Sequence, residues 1–133
     1  MATGTAGTAA RHYHTHQVHY LYKEFTFADD GSALSMGYVP AGSYILRGGV
    51  VVKVAFNAGT TNVLDIGTAA DDDGFATDLA LGTIGVIATD EMATTNDAYC
   101  SADTQILATV DLTGTAASAG TACAWVEYIV VSN

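Results

Sequence analysis

Positive charge is scarce in this sequence of 133 residues. Four Lys and Arg residues stand against 14 Asp and Glu residues, giving a formal net charge of −10 at pH 7. The basic residues are Arg11, Lys23, Arg47 and Lys53, so positions 54–133 contain none. Because proteins bind phosphate backbones through clustered Lys and Arg, we expect no nucleic-acid partner. The same deficit argues against binding to an anionic membrane surface.

Long hydrophobic runs are also missing, although 50% of the residues are hydrophobic. No segment approaches the roughly 18 consecutive apolar residues of a transmembrane helix. The N-terminal sequence MATGTAGTAARHYHTH has neither the charged start nor the apolar centre of a secretory signal peptide. We therefore expect no membrane partner and no secretion signal.

Proline and helical periodicity are nearly absent. Pro40 is the single proline, whereas glycine occurs 14 times, and no extended window combines helix formers with a helical period. Many short strands joined by Gly-containing turns fit this composition better than helices do. We predict an all-β protein, and its length is that of one domain.

Charged residues of both signs together make up only 14% of the chain, against roughly 25% in soluble domains. With so many hydrophobic residues, a monomer of this composition is short of polar surface. We predict that another chain covers part of the surface, with a neutral exterior made of Thr, Ser, Asn and Gly as the alternative.

Catalytic signatures are missing as well. The sequence has no GxSxG, P-loop, GxGxxG or HExxH motif. For Cys100 and Cys123, which lack CxxC spacing, we expect reduced thiols, with a cross-strand disulfide as the alternative. A pair of Cys100 with a histidine would lack an orienting third group, and carboxylate pairs such as Asp90 and Glu91 occur in any acidic domain. We therefore predict no enzymatic activity and no cofactor.

Two clusters contain residue types that bind metals. His12, His14 and His16 alternate, so on a strand they would share one face, an arrangement from which three imidazoles can bind zinc. Residues on one face lie about 6.5–7 Å apart, so a single ion would need a bend or one histidine from each of three chains. The acidic loop at 71–73 offers oxygen ligands for Ca²⁺ without EF-hand spacing. We favour a polar segment and a solvated loop, and predict no bound metal.

The stretch Ser43–Gly67 has the clearest strand pattern. Apolar β-branched residues alternate in two runs, which an Asn-Ala-Gly sequence separates at 57–59. Alternation around a Gly-containing turn is typical of a β-hairpin. We predict such a hairpin, with a bulge or a sheet corner at Gly48-Gly49.

Further strands are predicted at 18–27, 104–112 and 122–131, with a short irregular strand at 79–88. The inward residues are expected to be Ile106, Ala108, Val110 and Leu112 in one strand, and Ala124, Val126, Tyr128 and Val130 in the last. The last strand is apolar on both faces apart from Glu127, which indicates a central strand covered twice. Trp125 lies on its outer face, where a large aromatic suits a subunit contact.

About eight strands with long polar loops favour one architecture. We predict a jelly-roll-like two-sheet β-sandwich at residues 18–133, preceded by an extended N-terminal arm at residues 1–17. A trimeric β-barrel-like fold is the alternative.

Several stretches resemble small structural proteins encoded by tailed bacteriophages. They are GSYILRGGVVVKVAF with NVLDIGTAADDDGFA, then DTQILATVDLTGTAASAGTA, and finally AWVEYIVV. The likeness does not reach residues 1–20. It implies a non-enzymatic virion component, a capsid decoration (cement) protein, which in this family is a small β-sandwich and often a trimer on the outer shell.

The resemblance also implies partners and a location. The partners would be the major capsid protein and further copies of this chain in a homotrimer. The protein would be made in the host cytoplasm and reside on the outer capsid surface of the virion, with its acidic part from Val54 onward facing solvent. The residues expected to contact the capsid or another subunit are Arg11, His12, Tyr13, Tyr20, Tyr22, Arg47, Lys53, Trp125 and Ile129.

Two other functions stay open from the sequence. One is a receptor- or glycan-binding fibre or tail module of the virion, which would use the loops at 68–78 and 89–103 with Phe75 and Tyr99 at their tips. The other is a metal-dependent enzyme built on the three alternating histidines.

Overall fold

Nine β-strands make up nearly all of the regular structure in the described residues. The computed structural model describes residues 17–88 and 98–131. The strands are β1 (His19–Thr26), β2 (Ala33–Val39), β3 (Ser43–Val54), β4 (Thr61–Gly67), β5 (Ala76–Ala80), β6 (Gly85–Ala88), β7 (Tyr99–Cys100), β8 (Thr104–Thr113) and β9 (Thr121–Val130). A 3-10 turn at Phe27–Asp29 follows β1. None of the described segments is a helix that is long and apolar enough to cross a membrane.

The strands form two antiparallel sheets. Sheet A has the order β1-β9-β3-β6, and β7 pairs with the start of β3. Sheet B has the order β2-β8-β4-β5. The prediction of an all-β two-sheet sandwich is therefore confirmed, and the barrel-like alternative is wrong.

The strand order is that of a jelly roll, in which one long antiparallel ribbon is rolled up. Along the ribbon, β1 pairs with β9, β2 with β8, β3 with β6, and β4 with β5. Rolling places β9 beside β3 and β8 beside β4. Successive strands from β1 to β4 alternate between the sheets, so the two sheets close over one core.

Apolar side chains from the inner faces of both sheets fill that core. Of the inward residues predicted for β8 and β9, five are fully buried, namely Ile106, Ala108, Val110, Ala124 and Val126. The other three, Leu112, Tyr128 and Val130, are half-buried. Ser43 is the one buried polar residue among those described, and its hydroxyl donates to the carbonyl of Pro40 at 2.6 Å. Burial of alternate residues drives the packing of the two sheets.

The predicted hairpin at Ser43–Gly67 is wrong. Its two strands exist as β3 and β4, but β3 lies in sheet A and β4 in sheet B. The connection crosses between the sheets and is held by side chains. Asn57 accepts from the backbone amides of Ser118 and Ala119 at 2.8 and 3.1 Å, and Asn62 accepts from the amide of Ala58 at 2.8 Å. These contacts replace those of a hairpin turn.

The Gly48-Gly49 step is not a sheet corner, because β3 stays in sheet A along its whole length. A bulge does occur beside it, where the pairing with β9 shifts between Ile45 and Arg47. The glycines are needed for close strand approach. A Cβ at Gly49 would lie 2.3 Å from the backbone oxygen of Ile87, and one at Gly48 would lie 2.6 Å from that of Trp125.

The predicted strand at 79–88 is two strands. Its start belongs to β5 in sheet B and its end to β6 in sheet A. Between them Leu81 is buried, and its backbone pairs with both Phe56 and Asn62. The predicted N-terminal arm, apart from Gln17, lies outside the described residues and remains a prediction.

Candidate interaction surface

The outer faces of the two sheets differ in chemistry. The outer face of sheet A, here called the aromatic face, is formed by the outward residues of β1, β9, β3, β6 and β7. It comprises Tyr20, Tyr22, Glu24, Cys123, Trp125, Glu127, Ile129, Tyr44, Arg47, Val51, Lys53, Val86 and Tyr99. The outer face of sheet B, here called the acidic face, carries Asp65, Asp78 and Asp111 and no basic residue.

Antiparallel register places the aromatic side chains in rows across sheet A. Trp125 on β9 pairs with Tyr22 on one side and with Gly49 on the other. Tyr20 and Tyr22 stack with their ring centroids 6.1 Å apart. Tyr44 pairs with Tyr99 at the far end of the sheet. Aromatic residues grouped on one exposed face are typical of interfaces.

Apolar exposure is concentrated on the same face. Eleven large hydrophobic residues are exposed in the part of the chain that the structure describes, and five of them lie there, namely Tyr20, Tyr22, Tyr44, Val86 and Tyr99. On the strands of sheet B, the described exposed residue of this kind is Tyr38. Exposed apolar surface of this kind makes the aromatic face a candidate interaction surface.

Two ion pairs neutralise the charges of the aromatic face. Arg47 Nε lies 2.8 Å from Glu127 Oε2 on the neighbouring strand. Lys53 Nζ lies 2.7 Å from Glu24 Oε1, reaching across β9 to β1. Exposed ion pairs of this kind add little to the stability of the fold. The two positive and two negative charges nevertheless cancel in pairs on this face.

The titration of these groups follows from the pairing. The hydrogen bond and charge of Lys53 lower the pKa of Glu24, and those of Glu24 raise the pKa of Lys53. The hydrogen bond and charge of Glu127 likewise raise the pKa of Arg47. Between the ion pairs, burial raises the pKa of the Cys123 thiol. A thiol with a raised pKa stays protonated and reacts slowly.

The structure brings together six of the nine residues predicted to contact a partner. Tyr20, Tyr22, Arg47, Lys53, Trp125 and Ile129 all lie on the aromatic face. Arg11, His12 and Tyr13, with His14 and His16 of the predicted metal cluster, lie outside the described residues. The predicted contact residues do not include Tyr44, Val86 and Tyr99, which lie on the same face, although Tyr99 is predicted as a loop tip in the glycan-binding alternative. Of these, Tyr44 alternates with the buried Ser43 and Ile45, a signal that was available.

The acidic part of the sequence from Val54 onward is not separated in space from the basic residues, and its exposure to solvent in an assembly remains a prediction. Glu127 comes from the acidic part of the sequence, yet it lies on the aromatic face and pairs with Arg47. The charges are separated by sheet and not by position in the chain, because rolling the ribbon puts β9 between β1 and β3.

Other candidate chemistry is limited in the described residues. The carboxylates of residues 71–73 come within 4.8 Å of one another, but Asp71 and Asp72 are exposed, and a solvated acidic loop accounts for them. Cys100 is buried and Cys123 half-buried, and the two do not form a disulfide, so the alternative of a cross-strand disulfide is wrong. No catalytic nucleophile–base pair emerges from these groups.

Of the two aromatic residues predicted at the tips of glycan-binding loops, one is not exposed. Phe75 is fully buried, and its amide donates to the carbonyl of Ile66 at 2.9 Å, so it anchors its loop to the core. Tyr99 is exposed beside a shallow depression of about 220 Å³ that Thr68, Asp71 and Ser101 also line. One exposed aromatic provides little stacking surface for a sugar.

Two solved phage structures contain chains with the same fold. A chain of the cyanophage Pam1 capsid asymmetric unit has a TM-score of 0.62 and 19% sequence identity, over 86% of this chain and 85% of that chain. A chain of the acidic stable capsid structure of Helicobacter pylori bacteriophage KHP30 has a TM-score of 0.60 and 15% identity, over 88% and 91%. No protein-family model matches the sequence, and no curated protein matches it either. At these identities the likeness shows the fold, a two-sheet sandwich shared with chains of phage capsid structures.

Proposed function

We propose that the protein is a non-enzymatic structural component of a bacteriophage virion, a capsid decoration (cement) protein that binds the outer shell and stabilises it. It acts as a homo-oligomer, and as a trimer where it occupies a three-fold position. Its partners are the major capsid protein and other copies of itself.

The observation that carries this proposal is the fold likeness over almost the whole of each chain. Coverage is similar on both sides, at 86% and 85% in one comparison and 88% and 91% in the other. The neighbours in both capsid structures are therefore chains of about this size, and not small domains within larger chains. A small sandwich in that setting suits a protein that adds contacts to a shell.

The two outer faces support the proposal independently. The aromatic face offers apolar surface and compensated charges, which suit burial against another chain. The acidic face carries three carboxylates and no basic residue, which suits exposure to water. Contacts from Arg11, His12 and Tyr13 to the shell remain part of the proposal.

Binding to capsids that lack the protein tests this function. We expect purified protein to co-sediment with such capsids and to raise the temperature at which the shell opens. Bovine serum albumin, which is also acidic, serves as the control for non-specific adsorption. Failure to bind, or binding without a gain in shell heat stability, would contradict the proposal.

A further inference from the structure

We infer that the aromatic face is the surface on which a second copy of this chain docks. The inference rests on the homo-oligomer in the proposed function and names the face that it uses. It requires no capsid, so it can be tested on the purified protein alone.

Charge selects this face for self-association. Each copy has a formal net charge of −10, so two copies repel one another wherever their carboxylates meet. On the acidic face, contact between copies would bring Asp65, Asp78 and Asp111 towards their counterparts. On the aromatic face, Glu24 and Glu127 are already neutralised by Lys53 and Arg47. Of the two described sheet faces, this is the one that a copy with the same charge can approach.

The two ion pairs also lower the free-energy cost of burying the aromatic face against another copy. A charge that is buried without a partner destabilises a complex strongly, whereas a paired and hydrogen-bonded charge does so much less. Arg47 donates to Glu127 through both Nε and Nη2, and Lys53 donates to Glu24. Docking on this face therefore leaves no ion-pair member of the face without its partner.

The size of the face matches a specific contact. With strands about 4.8 Å apart and about 3.3 Å per residue, three long strands and the four-residue β6 cover roughly 500–600 Å² in projection. Side-chain relief increases the accessible area beyond the projection. Stable interfaces bury about 800 Å² on each partner, so one sheet face with its rim is sufficient.

The aromatic residues supply the expected anchors. Trp and Tyr dominate the binding energy of interfaces when they lie near the centre. Trp125 sits in the middle of sheet A, with Tyr22 on one side and the flat Gly49–Ala88 pair beyond it on the other. A second copy can rest on that flat strip and pack against the indole.

Mass measurement of the purified protein tests the inference. We expect sedimentation velocity to give a multiple of the 13.7 kDa chain mass, with dissociation on dilution. Trp125 is the single tryptophan and lies on the face, so its fluorescence emission should shift to longer wavelength as the oligomer dissociates.

A matched pair of variants separates this face from the other. Tyr20 and Tyr38 are both 65% exposed, and each lies on the edge strand of its sheet, β1 and β2 respectively. We expect Tyr20→Arg to weaken association at least about tenfold, as a charge in a desolvated contact does, and Tyr38→Arg to leave it unchanged. Each substitution adds one positive charge, so greater overall repulsion cannot explain a loss.

Each outcome decides the matter. Circular dichroism establishes that Tyr20→Arg is folded, and Val86→Arg, also 65% exposed, replaces it if it is not. If the wild-type protein is a monomer, the inference is overturned. If that monomer also shows Trp125 emission at short wavelength, the protein's own chain covers the aromatic face. Equal effects of Tyr20→Arg and Tyr38→Arg overturn it too. Association without capsid binding supports the inference while contradicting the capsid role, so the two fail separately.

Discussion

At the scale of single residues, four aspartates act as hydrogen-bond acceptors for backbone amides, three of which belong to strands. Backbone amides donate to the carboxylates of Asp29, Asp30, Asp65 and Asp103 at 2.8, 2.9, 2.7 and 2.9 Å. The donors Thr26, Asp78 and Leu112 lie in β1, β5 and β8, and Ala41 lies in the turn between β2 and β3. Part of the acidic composition therefore holds the loops of a sandwich in place, rather than marking a binding site for cations.

For Asp65, the position that lets it accept a backbone hydrogen bond also makes its negative charge unfavourable. Burial raises its pKa, the hydrogen bond from the Asp78 amide lowers it, and the charges of Asp78, Asp73 and Asp72 raise it further. The folded-state pKa lies above the unfolded one. The resulting penalty on folding is complete above the folded-state pKa and vanishes below the unfolded value of about 3.9.

We therefore expect Asp65→Asn to stabilise the protein at neutral pH. The amide oxygen can still accept from Asp78, while the penalised charge is removed. Because the group is largely solvent-screened, the gain should be about 0.5 kcal/mol, or roughly 1–3 °C in Tm. Thermal unfolding followed against pH should show the difference shrinking as the pH falls towards 3.9.

Asp111→Asn is the control for this measurement, because it removes a charge from the same face without the Asp78 contact. A gain for Asp65→Asn that equals the gain for Asp111→Asn would mean that net charge, and not the site, is responsible. No gain at neutral pH would contradict the raised pKa.

At the scale of elements, the central contact of sheet A depends on glycine. β3 lies between β9 and β6, and at Gly48 and Gly49 it approaches them too closely for a side chain. The same pair leaves a flat strip beside Trp125 on the aromatic face. One sequence feature thus serves strand packing and the shape of the outer surface together.

We expect Gly49→Ala to destabilise the fold by about 1–3 kcal/mol, as overpacking in a core does. The new methyl group would meet the backbone oxygen of Ile87 at 2.3 Å, and backbone cannot move aside without disturbing the β3–β6 pairing. Denaturant unfolding measures the loss. Gly82→Ala is the matched control, since a Cβ there meets nothing within 4 Å, and it should change stability by less than about 0.5 kcal/mol. Equal stability of the two variants would show that β3 and β6 are farther apart.

At the scale of the whole molecule, the jelly roll separates two kinds of surface. Its rolled ribbon gathers Arg47 and Lys53 with the exposed tyrosines of sheet A and leaves the carboxylates of sheet B on a face that carries no basic residue. A protein with this polarity has one side suited to contact with a chain and one side suited to water. The net charge then opposes every association through long-range repulsion.

Salt should consequently strengthen self-association. Raising the ionic strength from about 0.01 to about 0.15 M shortens the screening length from roughly 30 to 8 Å, which weakens repulsion between two copies of charge −10. The ion pairs of the aromatic face are within one chain, so screening removes no attraction between copies. Sedimentation equilibrium at a series of sodium chloride concentrations measures the association constant. Weaker association at higher salt would indicate that Arg47 or Lys53 exchanges partners between copies.

The sequence alone determined the class of the fold and much of its core. Alternation in β8 and β9 identified the strands and their buried residues, because a strand with one buried face must alternate whatever its neighbours are. The same alternation put Trp125 and Ile129 on the outer face of the last strand. Low positive charge, by itself, led us to expect no nucleic-acid partner.

Tertiary structure alone decided which strands pair and which side chains meet. The alternation in Ser43–Gly67 is the same whether its two strands pair or separate into different sheets, so the hairpin could not be distinguished from the crossover. Arg47 and Glu127 are 80 positions apart, and no local pattern connects them. They meet because the ribbon rolls β9 in beside β3. The aromatic face is formed by that non-local pairing, whereas the alternation within each strand predicts which individual residues point outward.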